Sequence, residues 1–258
     1  MSIDQTARVH PDAELADDVE VGAFCVIGPH VRIGAGTRIA SHVVIDGHTT
    51  LGCDNQVHAF AALGTEPQHR AYKGEPTRLE IGDRNIFREY ISVHRGTMLD
   101  EGVTQIGSDN LFLAYVHIAH DCMLGDGITM INGATLAGHV RVDDHCILGS
   151  YTLVNQFRHI GKLAFLAYRS GAVQDVPAFV RCVESPATPH GINSIGLRRH
   201  GYDKQDMAAI KQAYRIVYRS NLRLEQAKAE LRPLASENEA VAVMLESLER
   251  AGERGIIR

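Results

Sequence analysis

An aliphatic side chain recurs every sixth residue along most of this 258-residue chain. From Ile3 the steps fall on Val9, Leu15, Val21, Ile27, Ile33, Ile39, Ile45, Leu51, Val57 and Leu63 without a miss. The series restarts at Ile81, Phe87 and Val93, slips by one, and runs again from Ile106 through Ile118, Leu136 and Leu148 to Leu166. The next residue is usually small, and the fourth after each aliphatic is small or β-branched, as at Ala7, Ala13, Val19, Cys25 and Val31. A period of six fits neither a helix nor an alternating strand. It fits a short strand plus a turn, three of which close one triangular coil that stacks on the next. The pattern predicts an all-β parallel left-handed β-helix, a prism with large aliphatics inside and small residues turning its corners. Roughly 25 hexads make about eight coils, a prism near 40 Å long at ~4.8 Å per layer. Composition agrees, with 45% hydrophobic residues but 6% aromatic and no Trp, as thin aliphatic layers require.

The prism is expected over residues 1–185, with insertions at 65–78 and 99–105. The first reads TEPQHRAYKGEPTR, polar and broken by Pro and Gly, hence a projecting loop. Beyond Pro186 the period becomes helical, so 186–258 reads as a C-terminal α-helical domain. Asp203 is its first N-cap, before a stripe of Met207, Ile210, Tyr214, Val217 and Tyr218. Two further helices are expected over 224–235 and 238–251, separated near Pro233. Residues 198–228 carry eight Lys/Arg against three Asp/Glu although the whole chain has net charge −5. Such a balance gives no reason to expect nucleic acid. No run approaches the ~18 apolar residues of a membrane span, and the N-terminus lacks a basic region followed by an apolar stretch. Five cysteines form no CxxC pair, which suggests a reducing, cytoplasmic compartment. Cys25, Cys122 and Cys146 fall at inward small positions and read as packing residues. Uncovered faces of the prism lead to an expectation of homo-oligomers.

Fourteen histidines are the other unusual feature. With the seven-residue excursion removed, His94 lies nineteen positions before His120, and His139 nineteen after it. One coil is eighteen, so the three are expected on successive coils near one edge, with His117 close by in the stretch HIAHD. Three chemistries suit such a ridge. Turn histidines can be solvated corners. Three imidazoles can bind zinc. An imidazole can serve as a general base, and Asp121, directly after His120, could orient it. The residues alone leave zinc and base catalysis open.

The stretches GEPTRLEIGDRN (74–85), HRGT (94–97), HIAHDC (117–122), TLAGHV (135–140), QDVP (174–177) and GINSIGLRRHGY (191–202) resemble the UDP-N-acetylglucosamine acyltransferases nearly end to end. That resemblance implies transfer of a 3-hydroxyacyl group from acyl carrier protein to the sugar 3-hydroxyl of UDP-N-acetylglucosamine, the first step of lipid A synthesis. It implies His120 as general base with Asp121 as partner, and the Gly138 N–H as oxyanion donor. His94, His117, His139 and Gln156 would line the substrate cleft, and Asn193 and Arg199 would meet the UDP end. It further implies a homotrimer with its site between subunits, no metal and no cofactor. Ala71 stands where relatives carry a substrate-contacting Lys, which Lys73 would have to replace. Asn155 and His200 replace a common His and Arg. Tyr168 matches the position that limits acyl length, so a buried phenol there would favour shorter chains of about ten carbons. The basic charge of 198–228 itself has two readings, a rim that docks the acidic carrier protein, which is favoured, or the ordinary solvated face of helices. The alternatives are the N-acyltransferase paralogue, for whose extra N-terminal domain hexads beginning at Ile3 leave no room, a zinc-dependent enzyme, and a non-catalytic prism.

Overall fold

The computed structural model describes residues 2–251 and 255–258; Met1 and 252–254, at the ends of the two expected domains, lie outside the described residues. Three sheets, of eleven, nine and eight strands among those residues, wrap into a left-handed parallel β-helix. Each strand pairs with the one a coil away. Ser2 faces Glu20 and Val26 faces Val44, a spacing of eighteen. The large hexad positions fill the interior: Ile27, Leu51, Leu63, Phe87, Ile118 and Leu136 are 0–2% exposed. At about 25 cal/mol per Å² of apolar surface, each such layer stabilises its neighbours only by lying flat against them. The first coil has one neighbour, and Ile3 there is 40% exposed.

Corners are built from residues at positive φ, glycine or not. Phe24, Asp54, Tyr90, Asp121, His139 and Phe157 all lie at φ 56–62°. Inside one corner, Thr37, Asn55, Asn85 and Asn110 form a polar ladder. The Asn55 N–H donates to Thr37 Oγ1 (3.2 Å), that of Asn85 to Asn55 Oδ1 (2.9 Å), and that of Asn110 to Asn85 Oδ1 (3.0 Å). Cys25, Cys122 and Cys146 are fully buried, as their positions predict, and each thiol points at a backbone carbonyl.

Two boundaries differ from expectation. The second insertion occupies 95–102 rather than 99–105, because Val103–Ile106 (VTQI) is a full strand paired with Arg78–Ile81. Its alternating β-branched and polar residues suit a half-buried strand better than a loop. The break between the last helices falls at Asn238, not Pro233. Helix α1 spans Ser194–Arg199, α2 Lys204–Arg219, α3 Leu224–Glu237 and α4 Glu239–Glu249. Pro233 removes one N–H from inside α3, but Asn238, extended at φ −144°, ends that helix and caps the next through Val241 N–H. Asp203 caps α2 as expected, in a capping box with Asp206.

Before the helices, Thr188–Ile192 pairs antiparallel with Val180–Val183 at the end of the prism. The α2 stripe then buries Ile210, Ala213, Tyr214 and Val217, and Tyr214 Oη accepts the Gly191 N–H at 2.9 Å. No helix of the described residues is long and apolar enough to cross a membrane.

Candidate active site

The coil register decides which histidines meet. Ser92 pairs with His117 and Val93 with Ile118, so His94 falls opposite Ala119 rather than His120. His117 pairs with Thr135 and Ile118 with Leu136, which sets His120 opposite Gly138 and Asp121 opposite His139. A spacing of nineteen on an eighteen-residue coil steps sideways by one. The expected straight ridge is therefore a diagonal cluster. Its rings still touch edge to face: His94 with His117 at 4.9 Å and His120 with His139 at 5.2 Å between centroids.

At the centre, His120 Nδ1 lies 2.8 Å from Asp121 Oδ2. An ionised carboxylate only accepts, so Nδ1 carries the proton and Nε2 is left as the basic nitrogen. Asp121 is fully buried at its side chain and further fixed by Thr97, whose N–H donates to Oδ1 at 2.7 Å and whose Oγ1 donates to Oδ2 at 2.6 Å. Burial pushes the Asp121 carboxyl up, but the hydrogen bonds from His120 and Thr97 outweigh it and hold the group below the usual carboxylate range. The Gly138 N–H donates no hydrogen bond among the described residues, so it is free to meet a ligand. A Cβ at Gly138 would lie 2.5 Å from His120 Cε1, so only glycine leaves room for the imidazole.

The neighbouring histidines differ in what they can do. His94 is 5% exposed and its Nδ1 finds no partner among the described residues. Burial, then the neighbouring His117 and His120, drive its pKa down to about 4, so it is neutral. His117, shifted down by burial and by His120, shares a 2.8 Å hydrogen bond with Ser92 Oγ. His139 stacks on Phe157 at 4.4 Å, with Nδ1 3.0 Å from Asp100 and Nε2 3.7 Å from Asp121. One donor atom from each of His120, Asp121 and His139 lies within 4.8 Å of the others, close enough to share a cation.

Loops complete this corner. In the 66–77 loop, His69 meets His120 edge to face at 5.3 Å, a partner not singled out in the sequence. The loop is pinned by Arg95, which donates to Tyr72 Oη (2.7 and 3.1 Å) and to Gly64 O (2.8 Å) while its guanidinium lies over the Tyr72 ring. Lys73 is exposed on the same loop, two residues after exposed Ala71. Gln156 and Asn155 are exposed beside Phe157 at the same corner, one coil on from Gly138 and Ala137.

The remaining expected site residues lie elsewhere on the chain. Arg199 lines a concavity of about 630 Å³ with His145, Asn193 and His200, at the corner between the strands Arg141–Val142 and Ile147–Leu148. Asn193 is 6% exposed, and its amide is occupied within the fold: Oδ1 accepts the Gly196 N–H and Nδ2 donates to Leu163 O, both at 3.0 Å. It anchors α1 and so presents Arg199. His200 stacks obliquely on His145 at 4.4 Å. Tyr168 is 73% exposed on this chain, against the expectation of a buried phenol, and borders a second concavity of about 880 Å³ with Ile131, Phe165 and Arg181.

The fold is that of a hexapeptide-repeat protein, with a histidine–carboxylate pair and an unpartnered glycine N–H gathered at one corner. Residues 175–257 match the family model for the second domain of UDP-N-acetylglucosamine O-acyltransferase, and 3–47 match the bacterial transferase hexapeptide model. The acyl-[acyl-carrier-protein]–UDP-N-acetylglucosamine O-acyltransferase of Herminiimonas arsenicoxydans is 51% identical, over 99% of each chain. That of Thiobacillus denitrificans is 49% identical, over 100% of this chain and 99% of its own. Among solved structures, UDP-N-acetylglucosamine O-acyltransferase from Moraxella catarrhalis superposes with a TM-score of 0.96 at 39% identity, covering 100% of both chains. The Francisella novicida UDP-N-acetylglucosamine acyltransferase gives 0.97 at 38%, over 99% of this chain and 94% of that one. The chain belongs to the acyl-[acyl-carrier-protein]–UDP-N-acetylglucosamine O-acyltransferase family.

Proposed function

We propose that this chain moves a 3-hydroxyacyl group from the thioester of acyl carrier protein to the 3-hydroxyl of UDP-N-acetylglucosamine, opening lipid A synthesis, with His120 as general base. The observation that carries the catalytic reading is the buried His120–Asp121 pair at 2.8 Å, beside a glycine N–H with no partner among the described residues. His120 Nε2 takes the proton from the sugar hydroxyl as its oxygen attacks the thioester carbon. Asp121 stabilises the imidazolium that forms, and proton transfer by a well-placed base such as His120 contributes on the order of 10²–10⁴ in rate. The Gly138 N–H donates to the oxyanion of the tetrahedral intermediate. The C–S bond then breaks, and the departing thiolate recovers the proton from His120. His94, kept neutral by burial, shapes the cleft without adding charge, and His117, His139 and Gln156 line it.

The chain sets Arg199 and His120 at different corners of the prism. A second copy packed alongside could bring the Arg199 corner of one chain to the His120 corner of another, which supports a homotrimer with shared sites. Arg199 would then hold phosphate, presented by the α1 that Asn193 anchors, and Lys73 would reach in from its loop. We assign the enzyme to the cytoplasm, where its five unpaired thiols would stay reduced.

The test is transfer from a panel of 3-hydroxyacyl carrier proteins to UDP-N-acetylglucosamine by wild type and His120→Ala. A loss of about a hundredfold or more in the variant supports the base. Wild-type protein that is folded yet transfers no chain would overturn the assignment.

A further inference from the structure

We propose that His120, Asp121 and His139 form a binding site for a zinc-type divalent cation, and that the bound ion inhibits transfer. The inhibition rests on reading His120 as the base; the binding rests on geometry alone. Two imidazoles and a carboxylate are a familiar zinc donor set, with a fourth position left for water. Bonds of ~2.0–2.2 Å in a tetrahedron place donors roughly 3.3–3.6 Å apart. His139 Nε2 and Asp121 Oδ2 are already 3.7 Å apart, His120 Nδ1 and Asp121 Oδ2 are at 2.8 Å, and all three donors lie within 4.8 Å. Small side-chain rotations close that set. No other cluster of three such donors occurs among the described residues.

The surroundings carry the argument further. A metal-bound histidine nearly always gives its other ring N–H to a carboxylate, a backbone carbonyl or water, which fixes the ring and raises its basicity. His139 has that arrangement, with Nδ1 3.0 Å from Asp100 Oδ2. Asp121 is likewise held, by the Thr97 N–H and hydroxyl. General-base chemistry at His120 asks for no second carboxylate on His139, whereas at a cation site such a carboxylate orients the ligand and strengthens it. The donors are also nearly dry, with side-chain exposures of 12%, 0% and 7%, so one carboxylate and two imidazoles face one another with little water between them. Two nitrogen donors favour zinc over magnesium or calcium, which prefer oxygen.

An ion here takes the Nδ1 lone pair of a neutral ring, so the proton that Nδ1 carried moves by way of solvent to Nε2. Nε2 is then an N–H donor with no lone pair to offer, and the sugar hydroxyl loses its base. The enzyme would be arrested by free zinc and released by a chelator.

Equilibrium dialysis of the full chain against zinc should give one ion per chain at micromolar concentration, unaffected by excess magnesium. His139→Gln should abolish that binding. Asp100→Asn, on an exposed loop and leaving all three donors in place, should weaken it 10–100-fold. The zinc concentration that halves transfer should shift by the same factor in Asp100→Asn. Cobalt in place of zinc should show the visible absorption of a four-coordinate nitrogen–oxygen site. No binding below millimolar zinc, or binding unchanged in Asp100→Asn, overturns the site. Binding at this cluster by a protein that transfers no acyl group would uphold the site and remove the acyltransferase reading instead. Should His139→Gln fail to fold, the Asp100 variant decides.

Discussion

The imidazole of His120 rests on Gly138, one coil away, with its Cε1 where a side chain at 138 would have to begin; an added Cβ would sit 2.5 Å from it. Gly138→Ala should therefore displace the ring while leaving the prism intact, because no positive φ is required there. A shift of the order of 1 Å in a catalytic group can remove about a hundredfold in rate. We expect kcat to fall by that order with Tm within a few degrees of wild type. A kcat within twofold would show that the close approach has no catalytic consequence.

His94 should make the fold acid-sensitive. Its pKa of about 4 in the fold lies below the ordinary 6.5, so as pH falls the unfolded chain takes up the proton first. The stability is fully present above pH ~6.5 and is lost progressively as pH drops toward ~4, by about 3 kcal/mol in all. Urea unfolding at pH 7.5 and pH 5 should show a smaller loss for His94→Leu than for wild type. Equal losses would place the acid sensitivity elsewhere.

Arg95 should matter through the loop that it pins. Its bonds to Tyr72 and Gly64 hold the 66–77 segment that carries His69 and Lys73. Arg95→Met keeps the stem but loses those bonds, each to a charged donor and worth roughly 1.5–3 kcal/mol. We expect the sugar KM to rise severalfold and more than kcat falls, with Tyr72→Phe giving a milder version. A pure loss of Tm with unchanged kinetics would make the contact structural only.

Tyr168 tests the acyl-length reading. Its phenol is exposed on a single chain, so any limit that it sets must act in a groove closed by another copy. Tyr168→Gly should shift preference toward longer 3-hydroxyacyl chains. An unchanged profile across the carrier-protein panel would discard the idea.

Arg215 and Arg219 lie exposed on α2 in the basic stretch. Charge reversal at either should raise the KM for the acidic carrier protein several-fold at low salt, and less at high salt. The sugar KM should stay put; if both KM values move together, the helix is not a carrier-specific surface.

Most of the prism was legible because a six-residue step is a strict geometric demand: every sixth-residue aliphatic from Val21 to Leu63 points inward as the count requires. Register was harder. The spacing of nineteen between His120 and His139 on an eighteen-residue coil already carries a one-residue offset, and the pairing of Ile118 with Leu136 turns it into a glycine opposite His120. His69 and Asp100 could not be read at all, since each reaches the site from an inserted loop whose path follows from Arg95 and His139, distant in sequence. Pro233 misled because one lost N–H bends a helix less than a capping Asn ends it.

The asparagine ladder has a bearing on how such chains can change. Thr37, Asn55, Asn85 and Asn110 clasp hands from coil to coil straight past both points where loops bulge out. Because each rung recognises the next by amide geometry and not by residue count, a loop can be lengthened, shortened or exchanged without the stack slipping a notch. Substrate preference can thus be rewritten in the loops while His120 and its glycine stay in step.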